Sequence, residues 1–99
     1  MLQFSFDTTL IEWRGPAPFV YAPVPLEHAG KIEKIRKQAS YGWGVIPVTA
    51  EIDGTAFTTS LFPRDGTYLL PVKQAVRKKN GITVGDAVAV TIAIGPRAR

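Results

Sequence analysis

The chain of 99 residues contains no cysteine, one histidine and one methionine. Without cysteine there is neither a disulfide framework nor a thiolate metal site, so a domain this small must be held by the packing of its apolar side chains. With a lone histidine and carboxylates scattered singly, no metal ligand set and no acid–base pair is expected, and no cofactor. Long hydrophobic runs are missing too. No segment approaches the roughly 20 apolar residues of a membrane-spanning helix, and Met1-Leu2-Gln3-Phe4-Ser5-Phe6 has neither the basic stretch nor the apolar run of a secretion signal. Cytoplasmic residence and no membrane partner are the expectations.

What is present describes an ordinary globular chain: 45% hydrophobic and 20% charged residues, enough for one core and one domain over residues 1–99, with residues 95–99 as a flexible tail. The net charge of +4 and pI near 9.7 permit contact with nucleic acid or an anionic ligand. Part of that excess, Arg97 and Arg99, lies in the tail.

Hydrophobic periodicity predicts many short strands and two helices. Leu2 to Trp13 reads as one long strand with Phe4, Phe6 and Thr8 on one face and Ser5, Asp7 and Thr9 on the other. Arg14-Gly15-Pro16-Ala17-Pro18 interrupts it, and a short strand follows over Phe19 to Ala22. A helix from Pro25 to about Ala39 would pack His28, Ala29, Ile32, Ile35 and Ala39 inward and leave Glu27, Lys31, Lys34 and Gln38 in water. After the aromatic, glycine-punctuated stretch Ser40-Tyr41-Gly42-Trp43-Gly44, strands over 45–52 and 55–62 meet at Asp53-Gly54, a dipeptide suited to a tight hairpin turn. Pro63-Arg64-Asp65-Gly66 predicts a second turn, Thr67 to Leu70 a strand, and Pro71 to about Lys79 a helix stopped by Asn80-Gly81. Both faces of Ala87 to Ile94 are largely apolar, which predicts a central strand.

The two halves follow one pattern of short aromatic strand, proline, amphipathic helix, glycines and strand. Phe19-Val20-Tyr21-Ala22-Pro23 leads to Val48-Thr49-Ala50-Glu51-Ile52, as Thr67-Tyr68-Leu69-Leu70-Pro71 leads to Val88-Ala89-Val90-Thr91-Ile92. So many short strands in so short a chain favour closure, which removes exposed edges. The expected fold class is mainly β with two short helices: a small closed β-barrel of pseudo-twofold halves, capped by helices.

Trp13-x-Gly15, Tyr41-Gly42-Trp43-Gly44, Thr59-Ser60-Leu61-Phe62-Pro63, Tyr68-Leu69-Leu70-Pro71-Val72 with Arg77, and Gly85-Asp86-x-Val88-x-Val90 together resemble a prokaryotic family, domain of unknown function nineteen-oh-five. The resemblance runs from about Phe4 to Ile94 and implies a closed barrel of the double-split type, with no assigned activity. Within residues 69–92, Leu70-Pro71-Val72, Arg77, Gly81-Ile82 and Gly85-Asp86-x-Val88 are also similar to the AbrB and MazE swapped-hairpin DNA-binding proteins. In those proteins two short chains build one barrel, whereas here a single chain carries both halves.

The candidate site residues are cations beside rings. Lys73 and Arg77 are spaced i, i+4 on the second helix, where like charges repel unless an anion or a carboxylate lies between them. Arg64 on the preceding turn would be a third donor, and Asp65 or Asp86 would supply the neutralising carboxylate in the plainer reading. Tyr41, Trp43 and Tyr68 could form an aromatic platform for a base or a ring-shaped ligand, or Trp43 could plug a barrel end. Trp13 and Arg14 close the first strand, where they could line a cleft or pack under the proline loop. His28 reads as a hydrogen-bonded boundary residue, and Ser60 has neither the glycine elbow nor a histidine base of a nucleophile. The sequence thus predicts a non-enzymatic binding domain for a small anionic or aromatic ligand, or a partner protein. A DNA-binding domain of AbrB-like type and an enzyme of unrecognised mechanism are the alternatives.

Overall fold

A computed structural model describes residues 2–13, 19–39 and 46–95. Seven strands and two helices follow one another as β1 (Leu2–Thr9), β2 (Ile11–Trp13), β3 (Phe19–Pro23), α1 (Leu26–Ala39), β4 (Ile46–Ile52), β5 (Thr55–Arg64), β6 (Thr67–Pro71), α2 (Gln74–Asn80) and β7 (Ala87–Ile94). The strands form a single antiparallel sheet in the order β1-β7-β4-β5-β6-β3-β2, curved into a half-barrel. The mainly β fold with two helices is as expected, and the two end strands of this ladder are β1 and β2.

The long first strand predicted for Leu2 to Trp13 is broken at Leu10. Its N–H donates to the Asp86 carbonyl at 3.0 Å and its carbonyl accepts from the Gly85 N–H at 2.9 Å, while its side chain is almost wholly buried. The change of partner is the physical reason for the break: β1 pairs with β7, and β2 pairs with β3. β7 is central as predicted, lying between β1 and β4. Val88, Val90, Ile92 and Ile94 are buried, and the opposite face carries Ala87, Ala89, Thr91 and Ala93.

Both turns between β4, β5 and β6 use two residues at positive φ. Asp53 (49°) and Gly54 (85°) join β4 to β5, and Asp65 (51°) and Gly66 (83°) join β5 to β6, the geometry that matches the twist of flanking antiparallel strands. Pro63, expected in the second turn, lies instead within β5, opposite Tyr68. Likewise Pro71 belongs to β6, opposite Tyr21, and α2 starts after Lys73. Gly81, left-handed at φ 64°, ends α2 by donating to the Lys78 carbonyl and letting Ile82 reach that of Arg77.

The core is built from the inward faces of all the longer strands, with Leu10, Ile46, Ile52, Leu61, Leu70, Ile92 and Ile94 at its centre. Helix α1 adds Ile32 and, less deeply, Ile35, while α2 adds Val76. His28 falls inward as predicted and packs against Phe4 and Phe6, with ring centroids 4.7 and 5.8 Å away.

Candidate functional site

The start of α2 and the strand end beside it form a hollow of about 490 Å³ lined by Phe19, Val20, Thr59, Pro71, Val72, Lys73, Gln74 and Arg77. Its position follows from local chain geometry. β6 ends at Pro71, Val72 turns inward and donates its N–H to the Val20 carbonyl at 2.9 Å, and Lys73 takes an extended conformation at the helix cap. One helical turn later Arg77 folds back, its Nε donating to the Val72 carbonyl at 3.2 Å. That bond fixes the guanidinium at the rim and leaves its Nη atoms to face other partners. Phe19 is 54% exposed, so one wall of the hollow is an aromatic ring in contact with water.

Neither expected carboxylate neutralises this pair. The Asp65 Oδ2 lies 3.6 Å from the Arg64 Nε, and the Asp86 Oδ2 accepts from the Thr83 N–H at 2.8 Å in the turn before β7. Among the described residues no carboxylate is within ion-pair distance of Lys73 or Arg77. Lys73 at the cap and Arg77 one turn into α2, without a counter-charge, repel each other, and Lys73 is further disfavoured by the positive end of the helix dipole.

Arg64 is not brought to the same hollow. Its guanidinium carbon lies 3.6 Å from the centroid of the Trp13 ring, a cation–π contact between β5 and β2. With Glu33, Asp65 and Tyr68 it lines a separate hollow of about 330 Å³. Tyr68 is buried, its ring in the core and its hydroxyl donating to the Glu33 Oε1. Arg14, Tyr41 and Trp43, also singled out from the sequence, lie outside the described residues.

Sequence reasoning missed Phe19, read only as the start of a short strand. A signal existed: the ring is the first residue after Ala17-Pro18, at a strand end where a side chain is not enclosed by neighbours on both sides. It opens a series of rings, with centroids 6.2 Å from Phe19 to Tyr21 and 5.6 Å from Tyr21 to Phe62, and Trp13 stands opposite Phe19 in the ladder.

A third hollow, about 410 Å³, has the opposite polarity, lined by Ser5, Asp7, Glu51, Asp53 and Thr91 among others. Among the described residues no group of histidine, aspartate and glutamate is placed to hold a metal ion, and no helix is long and apolar enough to cross a membrane.

Residues 6–92 match the model of one protein family, described as Domain of unknown function (DUF1905). The chain belongs to this family. The DUF1905 match spans both hairpins, both helices and every residue lining the cationic hollow, Phe19, Lys73 and Arg77 included. No curated protein matches the chain.

Proposed function

We propose that the chain is a non-enzymatic binding domain whose ligand is a small anion seated at Lys73 and Arg77 in the hollow beside α2. The observation that carries this reading is the uncompensated cation pair, held at the rim of an apolar hollow by the Arg77 to Val72 hydrogen bond. Its volume lies within the range of ordinary small-molecule sites, and Val20, Pro71, Val72 and Phe19 supply the apolar lining that such sites combine with a few polar groups. Relative to the expectation from sequence, Arg64 and Tyr68 leave the anion subsite, and Phe19 takes the place of the aromatic wall. DNA binding in the swapped-hairpin manner is the weaker reading. Gly85-Asp86, part of that similarity, has a local role: Gly85 at φ 93° and the Asp86 contacts to Thr83 form the turn into β7.

The same reading includes a closed, double-split type barrel of two similar halves. The register supports it. Tyr21 opposite Pro71 is the counterpart of Leu69 opposite Pro23, and Ala50 opposite Ile92 is the counterpart of Val90 opposite Ile52. A twofold relation between halves requires such reciprocity. Closure would run through Leu10, where one chain segment leaves β7 and joins β3.

The test is calorimetric titration with benzoate, comparing the native chain with Arg77→Gln. Measurable binding that weakens about tenfold in the variant, or about 1.4 kcal/mol, is expected. Equal affinities, or no heat with either protein, would reject the assignment of this hollow.

A further inference from the structure

The donor geometry at α2 points to the chemical class of the ligand. Resting on the reading of this hollow as an anion site, we propose that it takes a planar aromatic or similarly apolar carboxylate and discriminates against phosphate. Arginine can grip an oxyanion by the side that carries Nε or by the end that carries the two Nη groups. Here Nε is committed to the Val72 carbonyl, so only the end-on fork remains, and its two parallel N–H bonds match the two oxygens of one carboxylate. Lys73 adds a point charge to the same rim.

Donors beyond those are few. The Val76 and Arg77 N–H groups are both turned to the Lys73 carbonyl, at 3.1 Å each, so these two amides at the start of α2 are spent internally. A phosphate dianion, with three terminal oxygens and a larger desolvation cost, would be left short of partners. The rest of the hollow is suited to a hydrocarbon body: Phe19 offers a half-exposed ring, and Val20, Pro71 and Val72 line the floor. Offset or edge contacts of a ligand ring with Phe19 would add to its burial.

The experiment is a titration of the ¹⁵N-labelled chain with three probes, 1-naphthoate, inorganic phosphate and the uncharged 1-naphthalenemethanol, following the Arg77 Nε–H and the amides of Phe19, Val72 and Gln74. The expected result is saturable shifts at these groups with naphthoate, and binding at least about tenfold weaker for each of the other two. If phosphate binds as well as naphthoate, the carboxylate class is overturned while the anion site stands. Should the neutral alcohol match naphthoate, the charge has no role and both readings fall. Shifts with none of the three would likewise overturn both. Lys73→Gln, exposed and outside the core, serves as the folded control and should lower naphthoate affinity without altering the amide spectrum of the strands.

Discussion

Among the described residues, His28 is the buried side chain least well provided for. Its ring packs against Phe4 and Phe6, its Nδ1 has no hydrogen-bond partner, and its Nε2 lies 3.6 Å from the exposed Glu27 carboxylate. The helical pattern correctly turned it inward, but the hydrogen bond expected at a boundary position is missing at Nδ1. Burying an unsatisfied nitrogen costs about 1–3 kcal/mol. His28→Leu, which keeps the bulk and removes the orphan, is therefore expected to leave stability unchanged or raise it by about 1 kcal/mol. His28→Ala, which also empties the space against two rings, should lower it by about 2–4 kcal/mol. Urea unfolding of the two variants checks both. A large loss in His28→Leu would show that the imidazole has a partner.

The two glycines Gly30 and Gly54 separate propensity from turn geometry at the level of elements. Gly30 lies in α1 with nothing within 4 Å of an added Cβ, so Gly30→Ala is expected to stabilise the chain by about 0.5–1 kcal/mol. Gly54 has equally open surroundings but sits at φ +85° in the β4–β5 turn, and Gly54→Ala should cost about 1–2 kcal/mol. Thermal unfolding should move in opposite directions for the two. These elements were the legible part of the sequence: Asp53-Gly54, the stop at Gly81 and the alternation of β7 each rest on one local rule. Leu10 and Pro71 were misread because their roles depend on a neighbour far away in the chain, and Pro63 because the β5–β6 ladder continues past it to the Asp65-Gly66 turn. The break at Leu10 needs Asp86, and each proline occupies a strand opposite Tyr68 or Tyr21.

Across the whole molecule, Leu10 is where the first chain segment passes from β7 to β3. Leu10→Ala should destabilise by about 2–5 kcal/mol and speed amide exchange in β2 and β3 as well as in β1, whereas exchange confined to β1 would mean that the two parts of the segment are not coupled. The candidate site was partly legible at this scale. The four-residue spacing of Lys73 and Arg77 was enough to put both at the start of the second helix, but the placing of Arg64 away from them is set by the sheet, and the burial of Tyr68 by the core it packs into. Among the described residues, Lys73 and Arg77 have no carboxylate within ion-pair distance, and this is the claim on which the functional reading depends. Repulsion between i, i+4 cations is worth about 0.2–0.5 kcal/mol, and about 1 M salt, with its screening length of about 3 Å, should remove it. The decisive measurement is the stability of Lys73→Gln against the native chain, without ligand, at low and at high salt. A variant more stable by about that amount at low salt, with the gain erased at high salt, is the predicted result; a variant that is less stable, or a difference indifferent to salt, would mean that a carboxylate already neutralises the pair.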